Sequence, residues 1–493
     1  MCSKETKFSI IQGNKRGNIR RLSTRVLKAL NIPSADYTEE ILSGASTARY
    51  TVRNVKSREE FQERLLKIKL NSRDRIVVED DSLTPSERLS NQVTPLWRME
   101  YPRQIEEKEK DLKEHLCEIG VSPRVVSKPV LSPRTEHYRN KTDFAIGYSE
   151  DNKVTVGFTN GLYTEGIVSV HGAADCVHIP AEAKQIAAEI ERHIAEKQIR
   201  PYNRKTNDGH LKLLLVRTHT EGILCCVQIN PQGMAEGELD EAERGLCGCV
   251  LHKTFKTDDG GEREVKGFFV QHSERAFNGL LPAATSPFRL LGGQESVYEE
   301  LMGCRFRIKI DSFFQTNKYA TEKMYETIRR LALCGEQTGK VLLDLCCGTG
   351  TIGITLADSF ARVVGVDLCE SSIEMARENA ALAGKKNVSF HCGDVTEKIA
   401  GVLSGIEAGC EVVVVLDPPR QGVSRRVTRA IREEPRIKQV VFASCALKQS
   451  KDNIEELITP GKDAGEFCVE ECTMVDMFPH TKHYEAVSLL RRK

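Results

Sequence analysis

Seven mostly apolar runs punctuate residues 311–493: Val341–Leu345, Arg362–Val366, Val388–His391, Val412–Leu416, Gln439–Ser444, Phe467–Val475 and Ala486–Arg491, with helix-length segments between most of them. Runs that are apolar throughout, rather than at every second residue, belong to strands covered on both faces. Such strands alternating with helices leave little choice of fold: a doubly wound α/β sheet. Ligands of these sheets bind beyond the carboxyl ends of the strands. The residues just after each run are therefore the ones to read for chemistry.

The first run passes directly into Cys346-Cys347-Gly348-Thr349-Gly350-Thr351-Ile352-Gly353. Glycines let backbone approach a ligand closely. The second run leads to Asp367, a carboxylate placed to hydrogen-bond a ribose diol. A glycine loop by itself fits either a dinucleotide or S-adenosylmethionine. Two features favour the latter: the loop reads as Gly-x-Gly without the third glycine of the dinucleotide fingerprint, and an acid, Asp344, stands ahead of it. Asp394, after the third run, suits an adenine amino group. The fold class expected for 311–493 is a Rossmann-like S-adenosylmethionine methyltransferase domain.

The fourth run is followed by Asp417-Pro418-Pro419-Arg420. Two prolines stiffen the turn and remove backbone donors, fixing Asp417 at the strand end. Enzymes that methylate amino groups carry Asn or Asp, Pro-Pro and then an aromatic. Arginine in the fourth place argues against that chemistry and suits a uracil carbonyl or a phosphate. The fifth run ends in Ser444-Cys445, with polar Lys448-Gln449-Ser450-Lys451 beyond. That is a thiol at the edge of a nucleotide-binding sheet, where covalent chemistry is done.

Upstream, residues 1–85 read as a small β-α-β-β-α-β unit. Its strands fall at Phe8–Ile11, near Glu40–Leu42, at Tyr50–Val52 and at Arg75–Val78. A loop with Gly13 and Gly17 leads to a helix with Leu22, Val26 and Leu30 on one face, and the capping box Ser57-Arg58-Glu59-Glu60 opens a second helix with Phe61, Leu65 and Ile68 inward. The order fits an RRM-like sheet, although of that module's stacking motif only the aromatic Tyr50 is in place and the glycine-aromatic pattern around it is not, and it fits equally a ferredoxin-like domain with another role. Residues 86–135 read as a linker and an amphipathic helix over Tyr101–Ile119, with Leu112, Leu116 and Ile119 on one face. Residues 136–310 read as a strand-rich central RNA-binding domain: Thr142–Tyr148, Val154–Thr159, Leu211–Thr218, Ile223–Ile229, Gly267–Gln271 and Cys304–Ile310, interrupted by a helix near Ala181–Ala195. Its Tyr138-Arg139-Asn140-Lys141 reads as a phosphate contact or as a solvated loop.

The chain has 71 basic and 70 acidic residues, net +1, so nucleic-acid binding has to come from local patches. Its 17 cysteines are scattered, many in strand-like runs, and the start lacks an apolar leader. They read as reduced thiols rather than a disulfide framework. Cys247-x-Cys249 and Cys468-x-x-x-Cys472 lack partners at ligand spacing, so no metal is expected. No apolar stretch reaches the roughly 18 residues of a membrane helix. A monomer in cytosol or nucleus is the expectation.

Several motifs occur together in a telling order. Phe313-Phe314-Gln315-Thr316-Asn317, the loop at 344–353, Asp417-Pro418-Pro419-Arg420, Ser444-Cys445 and Phe478-Pro479-His480-Thr481-Lys482-His483-Tyr484-Glu485 follow one another as in the RNA (uracil-5-)-methyltransferases. Val93–Trp97, Tyr138–Lys141 and Val177–Pro180 extend the resemblance over residues 90–493, with 1–85 matching loosely. The resemblance implies uridine C5 methylation in the T-arm of tRNA, at position 54. It implies Cys445 as nucleophile and Glu485 as base. By its residue types alone, Glu485 reads as a solvated surface glutamate. The resemblance further implies that Gln315, Cys346, Thr351, Asp367, Asp394 and Asp417 line the S-adenosylmethionine site, and that Asp417 and Arg420 touch the uracil.

One position departs from the family pattern. Ser-Cys-Asn-Pro is usual at the nucleophile, and this chain has Ser444-Cys445-Ala446-Leu447. Two rival functions are a 5-methylcytosine RNA methyltransferase and a non-catalytic RNA-binding or RNA-folding protein of the same fold. The first lacks its expected second cysteine after a Pro-Cys turn. The second is motivated by Ala446-Leu447 and opposed by the intact thiol, base and cofactor loop.

Overall fold

The computed structural model describes residues 6–11, 19–30, 32, 37–41, 47–52, 75–79, 83–160, 169–203, 206–274, 279–335, 339–407, 409–460 and 466–493. The loop with Gly13 and Gly17 and the helix expected after Ser57 lie outside them. The chain divides into two compact units. One comprises 1–93, 145–175 and 197–212, the other 94–144, 176–196 and 213–493.

In the first unit, four strands form an antiparallel sheet in the spatial order Tyr37–Ile41, Thr47–Val52, Thr6–Ile11, Arg75–Glu79. The helix Ile19–Leu30 buries Leu22, Val26 and Leu30, spaced i, i+4, i+8. Tyr50 is fully buried, with its ring edge-on to Tyr37. It belongs to the core and offers no face to a base, which corrects its expected stacking role.

The second unit holds the larger sheet. Its strands lie in the order Val388–Cys392, Arg362–Asp367, Val341–Leu345, Val412–Leu416, Ile437–Ser444, Glu485–Arg492, Phe467–Val475. The first five are mutually parallel, and Glu485–Arg492 runs antiparallel to both of its neighbours. Every residue of Val341–Leu345 and Val412–Leu416 is buried, as strands covered on both faces require, and that includes the one polar member, Asp344. The chain begins at Val341–Leu345, winds outward on one side, then returns to Val412–Leu416 on the other. The switch between those two strands opens a crevice at their carboxyl ends.

The same unit contains Gly222–Ile229, Glu262–His272 and Thr254–Lys256 as neighbouring strands. Glu262–His272 runs parallel to Gly222–Ile229 through a crossover helix, Glu236–Val250. That helix is absent from the sequence reading. Gly245 explains part of its disguise: a Cβ there would stand 2.7 Å from the His193 ring, so glycine is required for close packing.

Candidate active site

The crevice is built from strand ends. Parallel register sets Leu345, Val366 and Leu416 side by side, so Cys346, Asp367 and Asp417 follow along one edge. Between Cys346 and Gly350 the backbone turns left-handed three times, at Cys346 (φ 61), Gly348 (φ 54) and Gly350 (φ 76). A Cβ at Gly350 would stand 2.7 Å from the Phe390 ring, whereas one at Gly348 would meet nothing within 4 Å. Gly350 is thus needed for packing and Gly348 faces open space. Gly348, Gly350 and Gly353 satisfy the dinucleotide spacing, which corrects the reading that the third glycine is missing, so the glycines alone do not choose the cofactor.

The acids around the loop have distinct tasks. The Gly348 N–H donates to Asp367 Oδ2 at 2.8 Å and the Cys369 N–H to Oδ1 at 2.9 Å, tying the two strand ends together. Leu368 beside it is 73% exposed, an apolar face next to the carboxylate. Asp394 is exposed and caps the helix Val395–Ser404, accepting from the Thr396 N–H at 2.7 Å; hydrogen bonds from Thr396 hold its pKa down. Thr351 is joined to the buried Tyr325 hydroxyl at 2.7 Å, a residue that drew no attention in the sequence. Gln315 is half-buried, its carbonyl accepting from Asn140 Nδ2 at 3.0 Å. Burial pushes the Cys346 thiol up to about 12.

Asp344 lies fully buried beneath the loop. Its Oδ2 accepts the Gly353 N–H at 3.0 Å, while Oδ1 has no hydrogen-bond partner. Burial raises its pKa from 3.8 to about 8. A carboxyl with a raised folded pKa costs no stability below 3.8, costs more as pH climbs to about 8, and a constant amount above. Asp344→Asn keeps an acceptor for Gly353 and removes the charge. Its melting temperature is expected to exceed that of the parent by several degrees at about pH 8, with the gap closing towards about pH 5. Thermal denaturation at several pH values measures this; a pH-independent gap would contradict it.

Cys445 and Glu485 lie just beyond the end of one antiparallel ladder, near enough for the Glu485 charge to act on the thiol. Ser444 pairs with Ala486, and one further step of that register sets Cys445 opposite Glu485. Glu485 is only 3% exposed, with its Oε2 unpartnered. Burial, then Asp417, pushes its pKa well above the carboxylate range, and Arg420 opposes this. It is no solvated surface glutamate. Burial likewise raises half-buried Asp417 to about 7. Cys445 is half-buried, and burial, Glu485 and Asp417 lift its thiol to about 11, with Arg420 pulling the other way. Alkylation of Cys445 by iodoacetamide is therefore expected to be slow at neutral pH, to quicken as pH rises towards about 11, and to slow further in Arg420→Ala. Labelling that is fast and flat with pH would contradict this environment.

The departure after the thiol has a structural consequence. Ala446 is the N-cap of the helix Leu447–Ile458 and supplies no side-chain cap. An Asn-Pro pair here would be a preferred N-cap followed by a preferred first helical residue. Instead the turn is held by Ser444 and Ser450, whose hydroxyls lie 2.6 Å apart, while Leu447 is buried in the core. Asn453 of the same helix grips the loop after Arg420, accepting from the Val423 N–H at 2.8 Å and donating to its carbonyl at 2.9 Å. Ala446→Asn is expected to add about 1 kcal/mol through the restored cap. The readout is a melting temperature raised by about 2 °C; a fall would show that the turn rejects the side chain.

A doubly wound sheet with an antiparallel final hairpin, an open glycine cradle, an acid at the end of the second strand and a flanking apolar side chain define, with the family match below, an S-adenosylmethionine-dependent methyltransferase. Among the described residues, no group of three or more His, Cys, Asp or Glu could hold a metal ion. The family model for tRNA (uracil-5-)-methyltransferase matches residues 293–493. Mouse tRNA (uracil-5-)-methyltransferase homolog A is 33% identical over 445 residues, covering 84% of this chain and 70% of the relative. Human homolog B is 33% identical, covering 82% and 84%. The crystal structure of Pyrococcus abyssi tRNA (uracil-54, C5)-methyltransferase in complex with S-adenosyl-L-homocysteine shares the fold, with a TM-score of 0.60 at 22% identity, covering 86% of this chain and 91% of that one. The chain belongs to the tRNA (uracil-5-)-methyltransferase family.

Proposed function

We propose that this protein methylates C5 of the uridine at position 54 in the tRNA T-loop, with Cys445 as nucleophile and Glu485 as base. The observation that carries the assignment is the ladder register, which sets a thiol and a buried carboxyl opposite each other beside the cofactor crevice. The position in tRNA comes from the relative that names uracil-54.

Uracil C5 is a poor nucleophile. The Cys445 thiolate adds to C6, forming an S–C6 bond and moving the C5=C6 electron pair towards the C4 carbonyl, which makes C5 nucleophilic. S-adenosylmethionine, when bound, would supply an electrophilic methyl group to that carbon, its S–CH3 bond breaking to leave S-adenosylhomocysteine. Glu485 then takes the C5 proton, the C5=C6 bond re-forms and the S–C6 bond breaks, returning the thiolate. Its raised pKa makes the ionised carboxylate a stronger base towards the C5 proton than a solvated one. Arg420, whose charge acts on both groups, favours their ionised forms and faces the uracil carbonyl. Gln315, Cys346, Thr351, Asp367, Asp394 and Asp417 hold the cofactor, with Asp367 on the ribose and Leu368 against the adenine.

Unmodified tRNA incubated with labelled S-adenosylmethionine and digested to nucleosides tests this. Label in 5-methyluridine, lost when uridine 54 is replaced by cytidine, is expected. Label in 5-methylcytosine or in no nucleoside would sink the assignment.

A further inference from the structure

The strands Phe467–Val475 and Glu485–Arg492 are joined by residues 476–484, so Glu485 sits at the foot of a long loop. Loops of that length move unless tied down. This one is tied to a helix far away in sequence, Tyr101–Glu118. Lys108 Nζ lies 2.6 Å from Asp476 Oδ1 and donates to the Phe478 carbonyl at 3.0 Å. Lys108 is 2% exposed and Asp476 fully buried. Gln104 accepts the His480 N–H at 2.7 Å and places its Nε2 3.1 Å from His480 Nδ1 and 2.8 Å from the Met99 carbonyl. These contacts hold His480 in a left-handed conformation, φ 65, that a residue with a side chain rarely adopts. Tyr484, the residue before the base, donates to Asp111 Oδ2 at 2.8 Å.

A buried ion pair is a weak source of stability, because desolvation offsets the attraction; what it supplies is one defined geometry. Here that geometry belongs to the loop that ends at the base. Resting on the covalent reading above, we propose that Lys108 and Gln104 are positioning residues for Glu485. They hold residues 476–484 so that the carboxylate meets the C5 proton, and they act on resolution of the methylated adduct rather than on its formation.

Adduct formation and resolution separate experimentally. With 5-fluorouridine at the target, thiol addition and methyl transfer proceed, but no proton is present for a base to take. Lys108→Met alone strands a buried Asp476 charge and risks the fold. The tests are therefore Gln104→Leu and the double variant Lys108→Met/Asp476→Leu, which removes both charges. Each is expected to trap 5-fluorouridine RNA within about twofold of the parent rate. On ordinary uridine RNA each is expected to turn over about 100-fold more slowly, with a methylated protein–RNA adduct accumulating on denaturing gels. A parallel fall in both steps would show a merely structural role and overturn the inference, as would unchanged turnover. If the parent protein itself traps no 5-fluorouridine RNA, the covalent reading fails, and this inference with it.

Discussion

Cys445→Ala is expected to lose methyl transfer by about 10⁴-fold or more, the scale seen when a covalent nucleophile is removed. The loss is in the chemical step, because the sulfur that forms the S–C6 bond is gone. Cys346 and Cys347 stand on the same sheet edge, yet burial raises both thiols and they belong to the cofactor loop. The variant should fold normally: Cys445 is half-buried and leaves no large cavity. RNA binding is expected to persist, since contacts to the backbone do not involve the thiol. Filter binding and methyl transfer measured on one preparation separate these. Residual transfer within tenfold of the parent would place the nucleophile elsewhere.

Glu485→Gln is expected to slow turnover by about 10²–10³-fold while leaving adduct formation intact. The glutamine is nearly isosteric and removes a carboxyl that burial already penalises, so stability should hold or rise. A second consequence distinguishes this variant from a damaged site. The Glu485 carboxylate is among the groups that lift the Cys445 thiol, so its removal lowers the thiol pKa. Cys445 in Glu485→Gln should alkylate faster than in the parent at the same pH. Slower alkylation would mean that the two groups do not share one environment.

The catalytic sheet was legible in the sequence because its strands are buried on both faces. Val341–Leu345 and Val412–Leu416 have the same bounds in sequence and structure: the second is five apolar residues, the first four around Asp344, and each is too short for a helix and ends at turn residues. The helix Glu236–Val250 was not legible. Gly237, Gly245 and Gly248 lower its helix propensity, and its buried face is made of Ala242, Cys247 and Cys249 as much as Leu246 and Val250. Tyr50 looked like a stacking aromatic because sequence places it on a strand but cannot say which face that strand buries.

The candidate site divides in the same way. Cys445, Asp417 and Asp367 could be found because each follows an apolar run. Glu485 needed the family motif, because one glutamate before a strand has no local mark of burial. Lys108 left a fainter trace: it shares the helical stripe of Leu112, Leu116 and Ile119, a core position where lysine needs a buried partner. Its partner, Asp476, lies 368 residues away, beyond any local pattern.

The most direct test of the central claim is mass spectrometry of the trapped complex. The protein is incubated with S-adenosylmethionine and T-loop RNA carrying 5-fluorouridine at position 54, then digested with protease and nuclease. A peptide containing Cys445 that carries one fluorouridine nucleotide plus one methyl group is the predicted product. The nucleotide on any other cysteine, or methylated RNA formed with no covalent species, would contradict the account.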